Sequence, residues 1–182
     1  MRRFILTGTP GAGKTAILRW LEADGYAVVE EAATDVIALL HARGVAEPWR
    51  EASFIDATTE LQRQRQMRDA PQTGGSPVRV YDRSPVCTYA LSRFLGHPVS
   101  AALADELARI AQQRIYETRV LFVENLGFVA PTEARRIAFE DSLRFERVHE
   151  EAYAAFGYEC VRIARGELSE RVAVVKRVIG PV

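Results

Sequence analysis

Residues 8–15 read Gly-Thr-Pro-Gly-Ala-Gly-Lys-Thr and satisfy the pattern G-x-x-x-x-G-K-[ST] in full. The apolar run Phe4-Ile5-Leu6 precedes this segment, and Ala16-Ile17-Leu18-Arg19-Trp20-Leu21 follows it. The spacing therefore predicts a strand, a glycine-rich loop and a helix, the context in which this pattern grips phosphate. Glycines at 8, 11 and 13 permit the turn and let backbone N–H groups approach an anion. The N-terminus of the following helix adds a partial positive charge at the same place. The expected nucleotide-binding residues are Gly8, Thr9, Pro10, Gly11, Ala12, Gly13, Lys14, Thr15 and Ala16. Lys14 would reach the β- and γ-phosphates of ATP, and the Thr15 hydroxyl would ligate Mg²⁺.

The rest of the chain alternates in the same rhythm. Strands are expected over 3–7, 26–30, 78–81, 119–124 and 158–163. Helices are expected over 14–23, 32–43, 50–70, 85–95, 100–117 and 132–156, with a last one ending near 178 and capped by Ser169. Asp24-Gly25, Gly44 and Gly157 stand where helices should stop. Residues 71–77, Pro-Gln-Thr-Gly-Gly-Ser-Pro, read as a loop. Strands alternating with helices predict a parallel sheet covered on both faces. The expected fold is thus an α/β class, three-layer α/β/α sandwich around a five-stranded parallel sheet. One domain over 1–182 is expected, with a lid at about 131–147.

Composition narrows the function. The chain of 182 residues carries 24 Lys+Arg and 24 Asp+Glu, so it lacks the basic excess of a general nucleic-acid binder. Its two cysteines, Cys87 and Cys160, form no metal-binding spacing and read as reduced core residues. No apolar run reaches membrane-spanning length, and Met1-Arg2-Arg3-Phe4 leaves no room for a signal peptide, so a cytoplasmic location is expected.

In parallel sheets ligands bind beyond the carboxyl ends of the strands. The second strand ends at Glu30-Glu31. Either carboxylate could accept a proton from an attacking hydroxyl, or could stabilise the dipole of the helix starting at Ala32; Glu31 is the residue expected to face inward. The third strand ends at Asp82-Arg83-Ser84. Asp82 is the expected acidic partner of Mg²⁺, and Arg83 offers a planar fork for phosphate. Glu124, after the more apolar fourth strand, competes for the metal role. The stretch 131–147 holds Arg135, Arg136, Arg144 and Arg147. Arg135 and Arg136 are the expected phosphate-closing arginines of the lid; the alternative is a solvated helix face with Glu133, Glu140, Asp141 and Glu146. The 50–70 helix, rich in Gln and Arg, either flanks an acceptor or is simply exposed. His41, His97 and His149 are unclustered and receive no role.

GTPGAGKT at 8–15, VVEEAATDVI at 28–37, YDRSPVCTYA at 81–90 and the arginine-bearing 131–156 stretch together resemble the P-loop kinases. More narrowly they resemble the AAA-type ATPases grouped with bacterial ribosylnicotinamide kinases; deoxynucleoside and thymidylate kinases are more distant relatives. The resemblance implies a P-loop NTPase fold with strand order 2-3-1-4-5. It implies ATP and Mg²⁺ on Lys14 and Thr15, an acidic–arginine pair at Asp82-Arg83, and a catalytic carboxylate at Glu31. That strand order would put Asp82, rather than Glu124, beside the phosphate loop.

Two functions remain open from the sequence. One is a kinase transferring the γ-phosphate of ATP to a nucleoside- or nucleotide-like small molecule, as a monomer or homodimer, without nucleic acid or membrane. The other is a nucleotide-dependent ATPase switch acting through a protein partner. No Asn-Lys-x-Asp segment supports guanine specificity, and at this length a ring-forming motor with its helical domain is not expected.

Overall fold

The computed structural model describes residues 1–68, 76–126 and 139–182. Its elements in chain order are β1 (Arg2–Thr7), α1 (Lys14–Ala23), β2 (Ala27–Val29), α2 (Ala32–Ala42), a 3₁₀ turn (Pro48–Arg50) and α3 (Ala52–Arg68). Then come β3 (Val78–Asp82), α4 (Pro85–Leu95), α5 (Ala101–Gln112), β4 (Arg119–Val123), α6 (Phe139–Ala155), β5 (Glu159–Ile163) and α7 (Leu168–Ile179). All five strands run parallel in the order β2-β3-β1-β4-β5.

The period-two alternation of the strands divides the core in two. Phe4 and Leu6 of β1, Val78 and Val80 of β3, and Leu121 and Val123 of β4 face α1 and α7, meeting Ile17, Leu21, Val172 and Val175. Ile5, Tyr81 and Val120 face the opposite way, onto Phe54, Val86, Leu103, Leu107 and Tyr153 of α3 to α6. Both faces are covered, as an all-parallel sheet requires. Burying an aliphatic side chain here contributes about 1.5–3 kcal/mol. The result is the expected α/β/α layering.

Four of the boundary shifts bear on the fold. Strand β2 is three residues long, not five. Helix α3 starts at Ala52 because Pro48 opens a 3₁₀ turn that ends at Glu51 in an extended conformation. Helix α5 stops at Gln112, five residues early; Arg114 turns the chain at φ 49° and the Ile115 N–H closes onto the Ile110 carbonyl. Glu167, not Ser169, occupies the N-cap of α7. Residues 131–138, including Arg135 and Arg136, lie outside the described residues. No helix among the described residues is long and apolar enough to cross a membrane.

The central strands place the chemistry. Leu6 of β1 lies opposite Asp82 of β3, and the Arg83 N–H donates to the Leu6 carbonyl at 2.9 Å. The loop after β1 and the Asp82-Arg83-Ser84 segment therefore emerge side by side.

Candidate active site

The glycine at position 8 is dictated by the sheet. A Cβ there would stand 2.3 Å from the Val123 carbonyl oxygen, and the residue adopts φ 135°. This close pass between β1 and β4 lets the chain swing into the loop. Helix α1 opens at Lys14, so the N–H groups of its first turn crown the loop. Lys14 is buried and folds back, its Nζ donating to the Thr9 carbonyl at 3.2 Å. Thr15 and Asp82 line one cavity of about 300 Å³, together with Glu30, Glu31 and Thr34. A hydroxyl and a carboxylate facing one space fit a hard cation that keeps several of its own waters. Glu124 is absent from that cavity; it pairs with Arg162 at 3.2 Å on the β5 side.

The two glutamates after β2 part company. Glu30 is exposed and pairs with Arg19 of α1. Glu31, at the N-cap of α2, accepts a hydrogen bond from the Thr34 hydroxyl at 2.9 Å and pairs with Arg83. Burial alone would raise the Glu31 pKa, but the charges of Arg83 and Lys14 outweigh it and hold the carboxyl at about 2. Glu31 is thus ionised at neutral pH.

Arg83 reaches this position from a left-handed backbone, φ 73°, unusual for a side chain of its size. On its far side, Nη1 lies 3.3 Å from His149 Nε2. His149 Nδ1 is 3.0 Å from the Phe145 carbonyl, so Nδ1 carries the proton and Nε2 accepts from Arg83. Burial and the neighbouring Arg83 charge depress the imidazole pKa to about 3. His149, unclustered in sequence and expected to have no role, belongs to the site. Its signal was helical spacing: Phe145, His149, Ala152 and Tyr153 share the buried face of α6.

A buried polar chain supports this group from below. The Tyr153 hydroxyl lies 2.9 Å from both Ser84 Oγ and Cys87 Sγ, and Cys87 Sγ is 2.9 Å from Thr7 Oγ1. It ties the end of β1 to α4 and α6. Asn125, after β4, makes a parallel link, donating from Nδ2 to Ser142 Oγ at 3.0 Å and to Thr9 Oγ1 at 3.4 Å. Helix α6 is thereby coupled to the phosphate loop.

A second cavity of about 270 Å³ opens beside Pro10, Glu31 and Arg83 and runs between α2, α3, α4 and α6. Its walls are Ile37, Trp49, Phe54, Leu91, Phe94 and Phe145, with Thr58, Gln62 and Thr88 as polar points. The Thr58 hydroxyl, on a residue 1% exposed, has no hydrogen-bond partner among the described residues. Gln62 accepts from the Thr88 hydroxyl at 2.9 Å. Of the Gln/Arg series on α3, only Gln62 lines this cavity. Arg65 is spent on the Glu30 carbonyl and Asp35, and Gln66 on Arg109.

The AAA-domain family AAA_28 matches residues 3–171. The chain belongs to this family. Its P-loop domain implies nucleotide binding. No curated protein sequence matches the chain. Among solved structures, NadR in complex with NR superposes with a TM-score of 0.71 at 14% identity, over 100% of this chain and 51% of that one. The AAA_28 chain thus spans about half the length of NadR. Deoxyadenosine kinase from M. mycoides superposes with a TM-score of 0.54, at 11% identity with dCMP and dCDP bound and 13% with dATP bound, over 97% of this chain in each case. These likenesses establish a shared fold.

Proposed function

We propose that this AAA_28 domain, read as one unit over 1–182, is an ATP-dependent kinase for a small nucleoside-like acceptor. The observation that carries this reading is the second cavity. It is apolar and aromatic, it holds a buried unpartnered hydroxyl at Thr58, and it meets the phosphate loop at Glu31 and Arg83. Mostly apolar walls with a few placed polar groups suit a flat heterocycle. A protein that only reported nucleotide occupancy would need no such chamber. Fold neighbours described with NR, dCMP or dATP bound support the acceptor class.

In this reading ATP is held on residues 8–16. Lys14 swings from the Thr9 carbonyl to the β- and γ-phosphates. Thr15 and Asp82 would hold Mg²⁺, which neutralises phosphate charge. Glu31 accepts the hydrogen bond of the attacking hydroxyl and aims its oxygen. With its pKa at about 2, Glu31 is a weak base. A loose transfer, in which the bond from the γ-phosphoryl group to the leaving ADP is largely broken before the acceptor O–P bond closes and the hydroxyl proton passes to Glu31, asks little more than orientation. Arg83, fixed between Glu31 and His149, supplies positive charge where acceptor and γ-phosphate meet. Arg135 and Arg136 complete the reading as lid arginines.

The test is ATP consumption against a panel of nucleosides, nucleotides and ribosylnicotinamide, with Lys14→Ala as control. One acceptor that raises turnover and emerges phosphorylated is the expected result. A flat panel over tight, Lys14-dependent ATP binding would overturn the kinase reading in favour of a switch.

A further inference from the structure

Arg171 has no part in the site described above, yet it touches the phosphate loop. It projects from α7, is 5% exposed, and donates from Nη2 to the Ala12 carbonyl at 2.6 Å. Its Nη1 lies 2.9 Å from the point where a Cβ on Gly13 would stand, so the guanidinium packs flush against that glycine. Its Nε is buried with no partner among the described residues. Two other closely held arginines have carboxylates: Arg83 has Glu31, and Arg109 has Glu106. Arg171 is paired with none among the described residues, and burial alone lowers its pKa. A buried cation without a counter-ion is unfavourable unless something else meets the charge. The feature beside it is a loop built to receive a polyanion.

We infer that Arg171 is a positioning residue of the phosphate loop, fixing the Ala12–Gly13 peptide from the α7 side and having its buried charge compensated by the phosphates of the bound nucleotide. The inference rests on reading residues 8–16 as a nucleotide site. It assigns α7, the last helix, a part in nucleotide affinity. It also accounts for Gly13 beyond the turn: the glycine leaves room for the guanidinium. The mechanism is pre-organisation. A peptide already held in its bound orientation need not be ordered when nucleotide arrives.

The experiment measures Mg·ADP and Mg·ATP affinity and the nucleotide-induced rise in Tm on the full chain. Arg171→Met removes the charge at similar volume. Val175→Ala, on the same helix and buried in the core behind it, loosens α7 without touching the loop. Arg171→Met should weaken nucleotide binding tenfold or more and lose most of the ligand-induced Tm rise. Val175→Ala should lower the ligand-free Tm but keep the Kd within twofold. Wild-type affinity in Arg171→Met, or equal weakening in Val175→Ala, would overturn the inference. If Arg171→Met yields no folded protein, Arg171→Lys decides: weaker affinity at an unchanged ligand-free Tm supports the role, and wild-type affinity refutes it. Lys14→Ala separates the two levels. Wild-type binding in that variant removes the nucleotide site itself, and this inference with it. Lost binding in Lys14→Ala beside wild-type binding in Arg171→Met removes only the inference.

Discussion

His149 Nε2 accepts from Arg83 Nη1 at 3.3 Å, with the imidazole wholly buried. The ring is locked as one tautomer by the Phe145 carbonyl. Arg83 is thus held from behind by a neutral acceptor and from in front by Glu31. His149→Phe keeps an aromatic ring and removes the acceptor. It should lower kcat for phosphoryl transfer roughly ten- to a hundredfold, the scale of small misplacements of catalytic groups. ATP affinity should stay within twofold, because His149 does not reach the phosphate loop. A parallel rise in the ATP Kd would show that His149 supports the nucleotide site instead.

Glu31→Gln keeps the shape and the hydrogen bond from Thr34 but removes the charge. ATP should still bind. Turnover should fall by about 10²-fold, the scale of a lost orienting contact to the attacking hydroxyl. Arg83 loses its ion-pair partner in the same step, so stability should drop by about 1–3 kcal/mol. Normal transfer by this variant would remove Glu31 from the mechanism.

The same two side chains set an acid limit on stability. His149 is held at about 3 against an ordinary 6.5, and Glu31 at about 2 against an ordinary 4.5. Below pH 6.5 the unfolded chain takes a proton on His149 that the native chain refuses. Below pH 4.5 it takes another on Glu31. Stability therefore rises with pH through both windows. The His149 contribution is complete above 6.5 and is lost as pH falls towards 3. The Glu31 contribution is complete above 4.5 and is lost towards 2. Each group adds a slope of at most about 1.4 kcal/mol per pH unit. Denaturant titrations at pH 7.5, 5.5 and 4.5 should show wild type losing stability from the first value to the last. In His149→Phe the loss should be visibly smaller, and equal slopes would mean the ring is not buried neutral.

Thr58 allows binding and folding to be separated. Its hydroxyl is buried without a partner among the described residues, so Thr58→Val removes an unsatisfied group while keeping the shape. Stability should stay level or rise slightly. The acceptor KM should rise several-fold, with the ATP KM unchanged. A variant with unaltered acceptor kinetics would place the substrate elsewhere.

The sequence was most legible where chemistry is local. A phosphate loop is one contiguous segment with fixed spacing, so its strand and helix followed from it. The remaining strands followed from their apolar runs, and the strand order from the family resemblance rather than from any residue. The site beyond the loop depends on which side chains converge from distant segments. Asp82 and Arg83 could be found because strand ends are where parallel sheets do chemistry. His149 and Tyr153 carried only the burial signal of helical spacing and Asn125 only its place after a strand, while Arg171 carried none; packing alone decides that they meet Arg83, Ser84, Thr9 and Ala12. The boundary errors at α3 and α5 are also tertiary: a proline-led 3₁₀ turn and a left-handed Arg114 ended what composition would have continued.

Gly8 ties the fold to the site most directly, and two substitutions isolate why. Ala at this position would place its Cβ 2.3 Å from the Val123 carbonyl oxygen, on backbone at φ 135°. That oxygen is backbone of a central strand, and β1 is hydrogen-bonded to β3 on its other side, so neither strand can retreat. Gly44 also has a positive φ, 87°, but a Cβ there meets nothing within 4 Å. Gly44→Ala should therefore cost about 1–2 kcal/mol, the penalty for a left-handed backbone alone. Gly8→Ala carries that strain plus a backbone clash and should cost about 3 kcal/mol or more. It should also disorganise the loop, so that any folded fraction binds ATP more weakly than wild type. Denaturant midpoints and ATP titrations of the two variants check both parts. Equal destabilisation by the two, with ATP affinity intact, would show that the β1–β4 contact does not shape the phosphate loop.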